Sequence, residues 1–162
     1  DVQWFLDAVP NVHNGLTFCA GSLSAGGHND ITELAKKYHD RTHFVHLRSC
    51  YIFPNGDFTE ASHLGGRADI IELTRIFEQE EQRRIAERKD SDAAQANGRT
   101  SEKLRLPMRV DHGMTMLGDE SKGYNAGYSF LGRMFALGQV QGIMAAVDRE
   151  LGIEFTQPGF FG

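Results

Sequence analysis

What most constrains this chain is a repeated order: a run too short for a helix, then a stretch with helical apolar spacing, three times over. The runs are Leu16-Thr17-Phe18-Cys19, His43-Phe44-Val45-His46-Leu47-Arg48 and Pro107-Met108-Arg109-Val110. Strand, helix and strand with short connections predict parallel strands joined by crossover helices, an α/β fold. In such folds the loops after the strands' C-terminal ends build the active site, so the residues that end each strand carry the functional information.

The helices follow from caps and periodicity. Asn29-Asp30 caps a helix from Ile31 to about His39, with Leu34 and Ala35 at the buried spacing. The loop from Tyr51 to Gly66 holds the turn signal Pro54-Asn55-Gly56-Asp57 and leads to a helix from about Ala68, burying Ile70, Ile71, Leu73, Ile76 and Phe77. A last helix runs from about Ser129 to Leu151, apolar at Phe130, Leu131, Met134, Phe135, Leu137, Val140, Ile143, Met144 and Val147. Across residues 78–106 the apolar stripe fades, which predicts a solvated helix extension fraying into a loop near Asn97-Gly98. Val2, Phe5, Leu6 and Val9 give helical spacing up to Pro10, and a chain opening at Asp1 inside that pattern reads as a start in mid-domain.

Composition narrows the partners. Over 162 residues, 17 Lys and Arg face 22 Asp and Glu, a net charge of −5 that provides no electrostatic reason to bind nucleic acid or an anionic membrane. Nothing approaches roughly 18 consecutive apolar residues, and the N-terminus has no basic segment followed by an apolar run. Cys19 and Cys50 are too few for a disulfide framework, so reduced thiols in a cytoplasm are expected.

The chemistry sits at the strand ends: Cys19 on the first, His46 on the second, Asp111 and His112 after the third. Thiolate, imidazole and carboxylate suit a first-row ion such as Mn²⁺, Fe²⁺ or Zn²⁺, whereas Ca²⁺ or Mg²⁺ would want more oxygens. In an extended strand Asp111 and His112 point apart, so one can ligate while the other meets substrate. Two readings stand for Arg48: a bidentate hold on a substrate carboxylate, or a surface salt bridge. The glycines at positions 21, 26 and 27 form neither a dinucleotide nor a phosphate-loop fingerprint.

Five blocks in order resemble the mannonate dehydratases. They are Asn14-Gly15-Leu16-Thr17-Phe18-Cys19-Ala20-Gly21-Ser22-Leu23, His43 to Arg48, Glu60-Ala61-Ser62-His63-Leu64, Pro107-Met108-Arg109-Val110-Asp111-His112-Gly113 and Gly127-Tyr128-Ser129-Phe130-Leu131-Gly132-Arg133. The resemblance implies a (β/α)₈ barrel of the xylose-isomerase type, Mn²⁺ or Fe²⁺, and dehydration of D-mannonate to 2-keto-3-deoxy-D-gluconate in hexuronate breakdown. It also implies Cys19, His46 and Asp111 as metal ligands and His112 and Tyr128 as the proton-transfer pair, with Tyr124 as the alternative tyrosine. The family's remaining ligand histidine lies on an earlier strand and has no counterpart here.

Such a barrel takes about 250 residues, so the chain resembles its C-terminal part, about three strands with their helices. An open edge and apolar face then imply homo-oligomerisation or association with the remaining part. Two rival readings are a metal-dependent sugar isomerase or epimerase of the same fold, which retains the hydroxyl, and a non-catalytic fragment. His63, within a family-like block, is expected near the site on the loop after the second strand.

Overall fold

The computed structural model describes residues 2–89 and 105–154. In order, the elements are α1 (Val2–Ala8), β1 (Leu16–Cys19), α2 (Ala20–Ser24), α3 (Ile31–Tyr38), a 3₁₀ turn (His39–Arg41), β2 (Thr42–His46), β3 (Cys50–Ile52), β4 (Phe58–Glu60), α4 (Ile70–Lys89), β5 (Met108–Arg109) and α5 (Phe130–Leu151). The three expected strands form one parallel sheet in the order β1-β2-β5, with Cys19 opposite His46 and His46 opposite Arg109.

Alternation divides that sheet. Phe18 and Val45 face the helices and join Ile70, Leu73, Phe77, Val140 and Val147 in one core, where the Phe18 and Phe77 rings lie 5.2 Å apart. Cys19 and His46, one residue further along their strands, therefore lie on the face turned away from the helical layer. Asp30 caps α3 as its sequence requires, accepting a hydrogen bond from the Glu33 amide at 3.0 Å.

The expected loop after β2 contains an antiparallel hairpin, β3-β4, pairing Cys50 with Glu60. Its tip uses the anticipated turn, with the Phe53 amide donating to the Asp57 carbonyl at 2.8 Å. The flanks are three residues each, and Tyr51, Phe53 and Phe58 are exposed, so no alternating buried pattern marked them as strands.

Two helices differ from expectation. Ile71 is exposed on α4, and the segment expected to be solvated from residue 78 starts instead with buried Glu78, Glu80 and Glu81. Arg83 and Arg84 satisfy Glu80, and the Leu106 amide donates to Glu81, so partners rather than water take up the charge. Residues 90–104 of that segment lie outside the described residues.

On α5 the buried stripe is Gly132, Ala136, Val140, Ile143 and Val147, leaving Phe130, Leu131, Met134, Phe135 and Leu137 exposed. A helix apolar nearly all round does not declare which face it buries; packing against α4 decides it. With 22 residues and a mean hydropathy of 1.3 over its most apolar window, α5 is long and apolar enough to cross a membrane by length and composition. Here its inner face belongs to the core.

Candidate active site

The strand register brings Cys19 and His46 side by side, and the chain after β5 adds Asp111. One ligand atom from each of these residues falls within 4.8 Å of the other two. The Asp111 Oδ2 lies 3.4 Å from His46 Nδ1 and 3.9 Å from Cys19 Sγ. Cys19 also caps α2, its sulfur accepting from the Ser22 amide at 3.4 Å and the Ser22 hydroxyl at 3.2 Å.

Burial pushes the His46 pKa down, partly opposed by Asp111, which favours the neutral imidazole a metal needs. Its Nε2 is buried without a hydrogen-bond partner among the described residues. A buried polar atom left in this way calls for a ligand outside the protein, and the donor set of sulfur, nitrogen and carboxylate oxygen fits a borderline divalent ion.

The extended geometry expected at Asp111 and His112 is not what forms. Asp111 adopts a left-handed backbone, φ 59°, which breaks the alternation and keeps both side chains at the site, with His112 Nε2 3.7 Å from Asp111 Oδ2. His112 is fixed from three directions. Its Nδ1 lies 3.0 Å from Glu60 Oε1, and the Tyr128 ring packs on it with centroids 4.4 Å apart. The third contact is Gly127, φ 80°, where a Cβ would come within 2.5 Å of His112 Nδ1. Tyr128 is thus the tyrosine beside His112, with the Arg133 guanidinium 5.8 Å from its ring centre. Tyr124 is exposed in the preceding loop.

Arg48 is buried, and its partner is internal: Nε and Nη2 donate to the two oxygens of Glu60 at 2.9 and 2.5 Å. Of the two readings for Arg48, the structure contains the salt bridge, but a buried bidentate one. Burial works to lower the Arg48 pKa and Glu60 outweighs it, so the net shift is upward. Sequence reasoning gave Glu60 no role. The signal was a bidentate arginine needing a carboxylate, with Glu60 heading one of the family-like blocks.

His63 lies on the loop after the hairpin. It is buried, its Nε2 is 3.2 Å from the Val110 carbonyl, and burial lowers its pKa. A carbonyl only accepts, so Nε2 carries a hydrogen there. This neutral ring ties the end of β5 to the loop after the hairpin.

A parallel α/β sheet with thiol, imidazole and carboxylate converging at its strand ends defines an α/β protein with a candidate divalent-metal centre. The family model described as D-mannonate dehydratase (UxuA) matches residues 1–154, and the chain belongs to that family. It is 40% identical over 149 residues to a mannonate dehydratase of Saccharophagus degradans, covering 91% of this chain and 34% of that protein. It is 36% identical over 151 residues to mannonate dehydratase 2 of Agrobacterium fabrum, covering 93% of this chain and 35% of that one. The chain thus spans about a third of the length of the curated relatives it matches. In fold it is similar to the crystal structure of mannonate dehydratase from Streptococcus suis serotype 2, with a TM-score of 0.73 at 22% identity, over 96% of this chain and 38% of that one.

Proposed function

We propose that this chain serves a metal-dependent D-mannonate dehydratase, a hydro-lyase that removes water across C2 and C3 to give 2-keto-3-deoxy-D-gluconate in hexuronate breakdown. The observation that carries the reading is the convergence of Cys19, His46 and Asp111 within 4.8 Å, beside the packed pair His112 and Tyr128. Family membership over residues 1–154 supports the substrate class.

The reaction breaks the C2–H and C3–O bonds, so one group must accept a proton and another must protonate the departing hydroxyl. His112 and Tyr128, whose rings pack with centroids 4.4 Å apart, are the two groups to which the proposal gives that work. Cys19, His46 and Asp111 would hold Mn²⁺ or Fe²⁺, which supplies positive charge to stabilise the carbanionic character that develops at C2. Asp111 also meets Arg109 Nη2 at 3.5 Å, so its second oxygen is tethered while Oδ2 faces the site.

The fold reads as part of a (β/α)₈ barrel of the xylose-isomerase type, a reading supported by parallel strands with helices on one face and the site at the C-terminal ends on the other. A cytoplasmic setting and a homo-oligomer belong to the same proposal. The test is turnover of D-mannonate by the Mn²⁺-loaded protein with mass detection. A product one water lighter supports dehydration; a product of unchanged mass assigns isomerisation or epimerisation instead. No product from this chain alone assigns it as a non-catalytic part of such an enzyme; no product from the chain together with the remaining two thirds that its relatives have sinks the reading.

A further inference from the structure

We propose that Glu60, clamped by Arg48, is a positioning residue that fixes His112 as the Nδ1–H tautomer and thereby makes Nε2 the nitrogen that exchanges a proton with the substrate. This rests on the dehydratase reading for its consequence, though not for its geometry.

Glu60 ends β4 and reaches across to two partners at once. Both of its oxygens accept from Arg48, which prevents the carboxylate from rotating, and Oε1 also meets His112 Nδ1 at 3.0 Å. A carboxylate accepts and does not donate, so the hydrogen in that third contact belongs to Nδ1. The lone pair of the neutral ring is then on Nε2, the nitrogen turned toward Asp111 at 3.7 Å.

The ring cannot escape by flipping at low cost. Gly127 backs onto Nδ1 and Tyr128 covers one face. Arg48 is equally constrained: Gly21 leaves the space its side chain occupies, since a Cβ there would overlap the Arg48 stem. The chain of support runs from Gly21 through Arg48 and Glu60 to one nitrogen of His112. Both Glu60 oxygens are taken up by Arg48 and His112, which is why Glu60 positions rather than catalyses. The hairpin that sequence reasoning took for a loop gains a purpose: it returns the chain so that Glu60 stands opposite Cys50, within reach of Arg48.

The experiment is long-range ¹⁵N–¹H NMR of the histidine-labelled chain, metal-free, at alkaline pH where histidine is neutral. In the unsubstituted chain His112 is expected as Nδ1–H with a pyridine-type Nε2. Glu60→Ala should lose that preference, and Glu60→Gln, whose amide oxygen still accepts, should restore it. An Nε2–H signature in the unsubstituted chain overturns the proposal without any variant, as does an unchanged tautomer in folded Glu60→Ala.

Turnover adds a separate readout. With D-mannonate and Mn²⁺, Glu60→Ala should lower kcat roughly 10–100-fold with KM nearly unchanged; a raised KM at full kcat would mean that Glu60 serves binding and not proton exchange. If the unsubstituted chain shows Nδ1–H yet does not dehydrate D-mannonate, the positioning stands and only the substrate reading falls.

Discussion

Asp111 places its carboxylate through its backbone. A left-handed conformation costs a non-glycine residue on the order of 1–3 kcal/mol, less for aspartate than for most, and here it turns both Asp111 and His112 into the site. Asp111→Asn keeps the size and the backbone preference but removes the charge. We expect it to weaken Mn²⁺ binding at least about tenfold with little change in melting temperature, and Cys19→Ser to do the same. Metal titration by calorimetry checks both, and full metal content in either variant removes that residue from the centre. At this scale the sequence was legible where position along a strand decides placement, as for Cys19 and His46. It was not legible where a single φ angle decides, as for the orientation of Asp111 against His112, or where the partner comes from a distant hairpin, as for Glu60.

Among the elements, α5 shows how packing overrides propensity. A Cβ at Gly132 would overlap the Met114 carbonyl and crowd the Ser129 hydroxyl, which itself bonds Met114 O at 3.0 Å. Replacing glycine by alanine inside a helix gains about 1 kcal/mol in propensity, while forcing atoms into a packed seam costs about 1–3 kcal/mol. Gly132→Ala should therefore lower the melting temperature and disturb the loop behind His112. Gly138→Ala and Gly142→Ala, with nothing within 4 Å of the added carbon, should raise it. Equal effects at the three positions would sink the packing argument. The helix itself was evident from periodicity; its buried face was not, because its apolar residues nearly encircle it.

The seam between α4 and α5 adds a pH dependence. Burial, with Asp148 and Glu81 nearby, pushes the Glu78 carboxyl up to about 7, and Arg105 opposes this. Burial likewise raises Glu81 and Asp148. Glu80 goes the other way: burial works to raise it, but hydrogen bonds from Arg83, Arg84 and His39 hold it at about 2. The folded chain thus binds more protons at Glu78 than the unfolded chain between the ordinary carboxylate value and about 7, and stability from that group falls as pH rises through this window. Glu80 contributes stability above the ordinary carboxylate value and loses it as pH falls toward about 2. His63, lowered by burial, opposes Glu78 near neutrality because its neutral form favours folding as pH rises. Glu78→Gln should leave stability at pH about 5 nearly unchanged and raise it at pH about 8 by about 1–2 kcal/mol after solvent screening. Denaturant melts at the two values check this, and an equal shift at both would assign the effect to packing instead.

For the whole molecule, the decisive feature is that, among the described residues, the core joins one face of the sheet to α4 and α5. Among the described residues β1 and β5 each pair on one side, with β2, so two strand edges are left to other contacts. The outer face of α5 adds Phe130, Met134 and Phe135 to the exposed apolar surface, and α1 adds Trp4 and Phe5. Exposed apolar surface of this kind favours association, and a net charge of −5 over 162 residues is a weak counterweight. The chain should therefore sediment well above its 18.1 kDa mass at micromolar concentration, dissociating on dilution. Met134→Lys with Phe135→Lys, which leaves the buried stripe of α5 intact, should shift it toward the monomer while circular dichroism stays the same. A monomer in the unsubstituted chain at high concentration would mean that the exposed α5 face does not drive self-association. Association that survives both lysines would point instead to the strand edges.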